Sequence, residues 1–100
     1  MDLEVRKEGN TVYVLPEEDI HFDNYKDVEQ AVLEQIDEGA SEIVMDLTNV
    51  ETLYSMTLGM FNTIANTVAK KNGSFALTNV NAEVRKVLKA TRLDKIIAVK

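Results

Sequence analysis

The hydroxyl of Ser55, in the stretch "LYSMTLGMF" at residues 53–61, is the group in this sequence whose surroundings best suit covalent chemistry. A serine opening a helix has two uses. As a cap, its oxygen accepts a hydrogen bond from a free backbone N–H of the first turn, worth about 1 kcal/mol. Alternatively, the same free N–H groups and the positive end of the helix dipole favour phosphate there, which makes the serine a phosphorylation site. Other candidate groups point to less. His21 stands between Asp19 and Asp23, but a metal needs three or four converging ligands and no helical histidine spacing exists, so it reads as a solvated loop residue. Asp46 ends an apolar run and reads either as a buried acid near Ser55 or as a hydrogen-bond partner for the loop that follows. There is no Gly-rich phosphate loop, catalytic triad or paired-carboxylate spacing. No catalytic residue, metal site or cofactor is therefore expected.

The elements that must position Ser55 follow from periodicity. "LEVRKEGNTVYVL" alternates Leu3 and Val5, then Val12 and Val14, around Gly9-Asn10, a dipeptide suited to a tight turn; this predicts a β-hairpin. After "PEEDIHFD", Tyr25, Val28, Val32 and Ile36 recur at helical spacing, predicting a helix over about 24–38 with Asp23 or Asn24 as cap and Gly39 as terminator. "EIVMDL" is a short β-branched run, as in a strand covered on both faces. Leu58, Phe61, Ile64, Ala65 and Val68 form a second helical stripe that ends at "KKNG". "SFALTNV" is the next strand, Asn81 caps a third helix with inner face Val84, Val87, Leu88 and Thr91, and "KIIAVK" supplies a last strand. The order ββαβαβαβ predicts an α/β fold: one domain over residues 1–100, with an N-terminal hairpin on a mostly parallel sheet of four to five strands and three to four helices. In such sheets functional residues gather where strand C-termini feed helix N-termini. The segment "NVETLYS" is such a place, with Ser55 at or beside the N-cap.

Composition narrows the class of partner. Zero Cys among 100 residues excludes a disulfide framework and thiol chemistry and fits a reducing, cytoplasmic compartment. Nothing in "MDLEVRKEG" or the short apolar runs reads as a signal peptide or membrane span. The net charge of −6 is uneven: residues 81–100 carry six Lys/Arg against Glu83 and Asp94, whereas the first eighty residues carry five against fifteen acids. Such a surface repels polyanions, so nucleic-acid binding is not expected. Arg85, Lys86, Lys89 and Arg92 solvate one helix face. The continuous core predicts a monomer that folds without metal.

"IVMDLTNVETLYSMTLGMF" resembles the signature of the STAS domains, which include the bacterial anti-sigma factor antagonists: an apolar strand ending in Asp-Leu, a short Val-containing loop, then Asp-Ser-Ser-Gly-Leu-Gly opening a helix. "VNAEVRKVLKATRLDKII" resembles that family's third helix and following strand. The first Ser of the motif, the family's phosphorylation site, falls on Ser55, and Leu58 and Gly59 match; Tyr54, Met56 and Thr57 depart from it, and Asp19 or Asp23 takes the place of an upstream family Asp. The resemblance implies a binding module, not an enzyme, that sequesters an anti-sigma factor, often a serine kinase of the histidine-kinase-like ATPase type. It places phosphorylation on Ser55, with Thr57 as rival. It places the partner contact on Asp19, Asp23, Tyr54, Ser55, Met56, Thr57, Gly59 and Met60. Gly59 admits close approach of either a partner or the neighbouring strand, and Met56 and Met60 are either partner contacts or core filler. Two other functions stay open: a STAS subunit of a transporter or lipid-trafficking complex in which Ser55 only caps the helix, and a small nucleotide-binding or enzymatic α/β domain.

Overall fold

The computed structural model describes residues 3–100. Strands β1 (Leu3–Glu8) and β2 (Thr11–Pro16) pair antiparallel across the Gly9-Asn10 turn. Only Gly9 takes a positive φ there, +64°, as expected for glycine at the first central position of a two-residue hairpin loop. Helix α1 (Tyr25–Asp37), β3 (Glu42–Asp46), α2 (Ser55–Ala69), β4 (Ser74–Thr78), α3 (Ala82–Ala90) and β5 (Ala98–Val99) follow. The sheet order is β1-β2-β3-β4-β5, and the pairs from β2 to β5 are all parallel. The α/β class, the leading hairpin and the alternation stand as the sequence predicts.

Every crossover runs in the same direction along the sheet, so all three helices fall on one side. Val12, Val14, Ile43, Met45, Phe75 and Leu77 share one sheet face and form one apolar cluster with Val28, Val32 and Ile36 of α1, Phe61, Ile64 and Val68 of α2, and Val84 and Leu88 of α3. Phe61 and Phe75 meet edge-on at 5.9 Å and tie α2 to β4. Strand β3 is buried on both faces, as its apolar run predicts, although the helices cover only one of them. Val44 points away from this cluster and is still only 8% exposed, because its cross-strand neighbours Tyr13 and Ala76 flank it.

Local chemistry explains several boundaries. Gly73 is required by close approach, since a Cβ there would sit 2.2 Å from the Ser41 carbonyl oxygen. Asn72 takes the left-handed conformation at the end of α2, with φ 60°. The last strand is shorter than "KIIAVK" predicts: Arg92 turns left-handed at φ 62°, a 3-10 turn occupies Leu93–Lys95, and only Ala98–Val99 pairs. Thr91, expected on the inner face of α3, is exposed.

Parallel pairing puts the C-terminal ends of β2, β3 and β4 on one edge of the molecule. The loops 17–24, 47–54 and 79–81 therefore emerge side by side above the sheet.

Candidate functional site

Each of these three loops is fixed by hydrogen bonds that its own polar side chains supply. Asn24 is buried at the N-cap of α1, but its side chain does not cap that helix. Its Oδ1 accepts from the His21 N–H at 2.8 Å, and its Nδ2 donates to the Asp19 carbonyl at 3.0 Å, folding 17–24 into a tight bend. The Asp23 N–H donates to His21 Nδ1 at 3.3 Å. Asp46 shapes the second loop at its root, where Oδ1 accepts from the Thr48 N–H at 2.9 Å and the Thr48 hydroxyl at 2.5 Å. Burial pushes the Asp46 carboxyl pKa up, but hydrogen bonds from the Thr48 and Asn79 side chains and the Thr48 backbone outweigh that and hold it below its ordinary value. Of the two readings of Asp46, the structure shows the loop-forming one.

Cross-links then weld the loops together. Asp19 Oδ1 accepts from the Glu51 N–H at 2.6 Å, joining the first loop to the second. Asn81 Nδ2 donates to the Glu51 carbonyl at 3.0 Å, joining the third loop to the second, while its Oδ1 accepts from the Val84 N–H at 2.7 Å and caps α3. Thr57, fully buried, donates its hydroxyl to the Ile20 carbonyl and pins α2 beneath the first loop.

Ser55 sits on top of this assembly. It is exposed and is the first helical residue of α2. The N-cap is Tyr54, extended at φ −104° and ψ 165°, and no side chain caps the helix. The capping role expected of Ser55 is corrected: one position too far along the chain, its hydroxyl makes no cap bond. The backbone N–H groups of Ser55, Met56 and Thr57 precede the first intrahelical bond, from the Leu58 N–H to the Tyr54 carbonyl at 3.1 Å. Free donors and the positive end of the helix dipole thus lie at the helix start that carries the exposed Ser55.

The expected contact residues separate into two sets. Asp19, Asp23, Tyr54, Ser55, Met56 and Gly59 come together at this end of the molecule. Thr57 and Met60 do not present a surface, at 0% and 1% exposure, and this corrects their placement on the outer side of α2. Gly59 is exposed, and a Cβ built there meets no atom within 4 Å, so of its two readings close packing against a neighbouring strand is excluded. Phe22, which the sequence pattern does not mark, and Asn24, in a role other than the expected cap, belong here. Phe22 stands 72% exposed in the first loop, and its neighbour His21 meets the Tyr54 ring edge-on at 6.3 Å. Asn24, expected as a cap, instead folds the loop by bonding nearby backbone, a use of Asn common in turns. Among the described residues, no group of three or more His, Cys, Asp or Glu is arranged to hold a metal, and no helix is long and apolar enough to cross a membrane.

Comparison with known proteins agrees with this geometry. The profile of the STAS domain family matches residues 2–100. A Thermotoga neapolitana protein, named as a homologue of the anti-sigma factor antagonist TM1081, is 29% identical over 91 residues, which are 90% of this chain and 80% of that protein. The crystal structure of TM1081 from Thermotoga maritima superposes with a TM-score of 0.91 at 26% identity, covering 97% of this chain and 84% of that one. The anti-sigma factor antagonist SpoIIAA of Bacillus, in its unphosphorylated form, shares the fold with a TM-score of 0.85 at 16% identity, covering 99% of this chain and 88% of that one.

Proposed function

The chain belongs to the STAS domain family, and on that premise we propose that it is an anti-sigma factor antagonist. It is a binding module and not an enzyme. In this reading it acts as a monomer in the cytoplasm, binds an anti-sigma factor that is a serine kinase of the histidine-kinase-like ATPase type, and so frees a sigma factor for transcription. Phosphorylation of Ser55 by that partner ends the interaction.

The observation that carries the reading is the uncapped, exposed start of α2. Three unbonded N–H groups and the dipole stabilise a phosphate on Ser55 without rearrangement of the helix. That phosphate brings about −1.5 to −2 charges onto a surface already acidic at Glu18, Asp19, Asp23 and Glu51. No Lys or Arg occurs from Asp27 to Ala69 to neutralise it. Thr57 is no longer a rival acceptor, because its hydroxyl is buried and bonded to Ile20. Asp19, Asp23, Tyr54, Ser55, Met56 and Gly59 form the contact, and the open space beside Gly59 lets a partner backbone approach α2 closely.

The test is incubation of the protein with its cognate kinase and ATP, mass mapping of the phosphate, and titration of wild type, Ser55→Asp and Ser55→Ala against the kinase. Phosphate on Ser55, weakened binding by Ser55→Asp and unchanged binding by Ser55→Ala support the reading. Label elsewhere, or equal affinity of all three, rejects the switch.

A further inference from the structure

Five large apolar side chains among the described residues are exposed: Val5, Phe22, Tyr54, Met56 and Ile96. Two of them, Tyr54 and Met56, flank Ser55 at the start of α2, and Phe22 follows His21, whose ring meets Tyr54. The most exposed is Phe22, at 72%. A phenylalanine so exposed usually sits on a loose loop, where ordering it on binding costs entropy. This one does not. The bend that carries it is clamped on both sides of residue 22, by Asn24 to His21 and Asp19, by Asp19 to Glu51, and by the Thr57 hydroxyl to the Ile20 carbonyl. His21 also braces it against Tyr54. A rigidly presented aromatic ring is what a binding hot spot requires: large apolar area and few degrees of freedom to lose.

Charge identifies what such a ring fits into. The bend that carries Phe22 also carries Glu17, Glu18, Asp19 and Asp23, and Asp19 bonds the Glu51 N–H of the loop that leads to Tyr54 and Met56. The nearest cation in sequence, Lys26, lies beyond the bend on α1. The complementary surface is an apolar socket with a rim of Lys and Arg, so that the ring is buried at the centre while the acids meet opposite charges at the edge. A membrane of anionic lipid and a nucleic acid are both disfavoured by the same acids.

We propose that Phe22 is the anchor by which this chain seats on its anti-sigma factor, inserting into an apolar socket rimmed by basic residues. The inference rests on the antagonist reading above and adds to it the residue that dominates affinity and the chemistry of the partner surface. It also explains how charge on Ser55 acts. Phosphate beside Tyr54 and Met56 enters the apolar centre of the contact, where desolvation of a charge is most costly.

The experiment titrates wild type, Phe22→Ala, Phe22→Trp, the double variant Glu17→Gln with Asp23→Asn, and Ile96→Ala against every histidine-kinase-like ATPase anti-sigma factor of the source genome, each purified singly. Ile96 is the control, a large apolar residue that is also exposed but placed before β5, at the other end of the sheet. Wild type binds one of these proteins. Phe22→Ala weakens that complex by about 30-fold or more through faster dissociation, Phe22→Trp restores most of it, and Ile96→Ala leaves it unchanged. The Glu17/Asp23 double variant slows association and flattens its dependence on salt. Unaltered thermal melts show that the variants fold. If wild type binds but Phe22→Ala binds equally well, the anchor is wrong and the antagonist reading stands. If wild type binds none of the proteins, both fall. Self-association of wild type that Phe22→Ala abolishes assigns the patch to a second copy of this chain and overturns the proposal.

Discussion

Two helices of this protein start in the same way, from a loop that leaves the C-terminal end of a parallel strand, yet their first turns are finished differently. At α3, Asn81 accepts from the Val84 N–H and donates to the Glu51 carbonyl, so that one side chain caps the helix and ties down the neighbouring loop. At α2, Tyr54 takes the N-cap position with no side-chain bond, and the ring it contributes instead is half-exposed. The first end is built for stability. The second gives up a cap worth about 1 kcal/mol and keeps its donors, an accessible hydroxyl and an apolar rim facing outward. That contrast is the structural basis for placing function at α2, and each of the following substitutions bears on it.

The largest effect is expected beneath α2. Thr57→Val removes a buried donor and leaves the Ile20 carbonyl unpaired, which costs about 1 to 3 kcal/mol by denaturant unfolding. A cost near zero would show that the first loop is not held to α2 in this way. Next, Asn81→Ala should destabilise by about 1 kcal/mol, and by up to about 2 if the tie to Glu51 adds to the cap. Gly59→Ala, in the exposed interior of α2, should instead stabilise by about 1 kcal/mol, because alanine is the better helix former and its methyl meets open space. If the same substitution weakens the partner complex, the glycine is kept for binding at the expense of stability. The smallest effect is at Ser55, where replacement by Ala should change stability by less than about 0.5 kcal/mol, since no cap bond is lost. A loss equal to that of Asn81→Ala would erase the distinction between the two helix starts.

Acid sensitivity sharpens the comparison from below. Because the folded-state pKa of Asp46 is held down, its ionised form adds stability at pH values above the ordinary carboxylate range, and this is lost as pH falls through the folded value. Asp46→Asn should therefore make the acid limb of the stability curve shallower, read from thermal melts across pH, with little effect at neutral pH on the cap at Asn81.

Local signals in the sequence predicted the elements with local causes. Gly9 marks the hairpin turn, Asn81 caps α3, and apolar residues at 28, 32 and 36 define the buried face of α1. What escaped reading depends on residues distant in sequence. Thr57 looks like an exposed first-turn hydroxyl until the loop 37 positions earlier folds over it. Met60, open between partner contact and core filler, falls on the buried face of α2 with 57, 61 and 64 once Thr57 fixes which way that face turns. Ser55 misses the cap by one residue, a difference that only the extended backbone of Tyr54 decides. Phe22 carries no periodic signal because it lies in no helix or strand, and its exposure follows from the bend that Asn24 imposes. The two glycines, Gly59 and Gly73, are alike in sequence, but one faces open space and the other the Ser41 carbonyl.

Amide hydrogen exchange of the free protein and of its complex with the anti-sigma factor tests the central claim most directly. In the free protein the amides of Ser55, Met56 and Thr57 have no intrahelical acceptor, and in the complex the account predicts slowed exchange across residues 18–24 and 51–59, with α3 from Ala82 to Ala90 unchanged. Slowed exchange confined to α3 or to the Tyr13, Val44 and Ala76 face of the sheet, with the start of α2 unaffected, would contradict it.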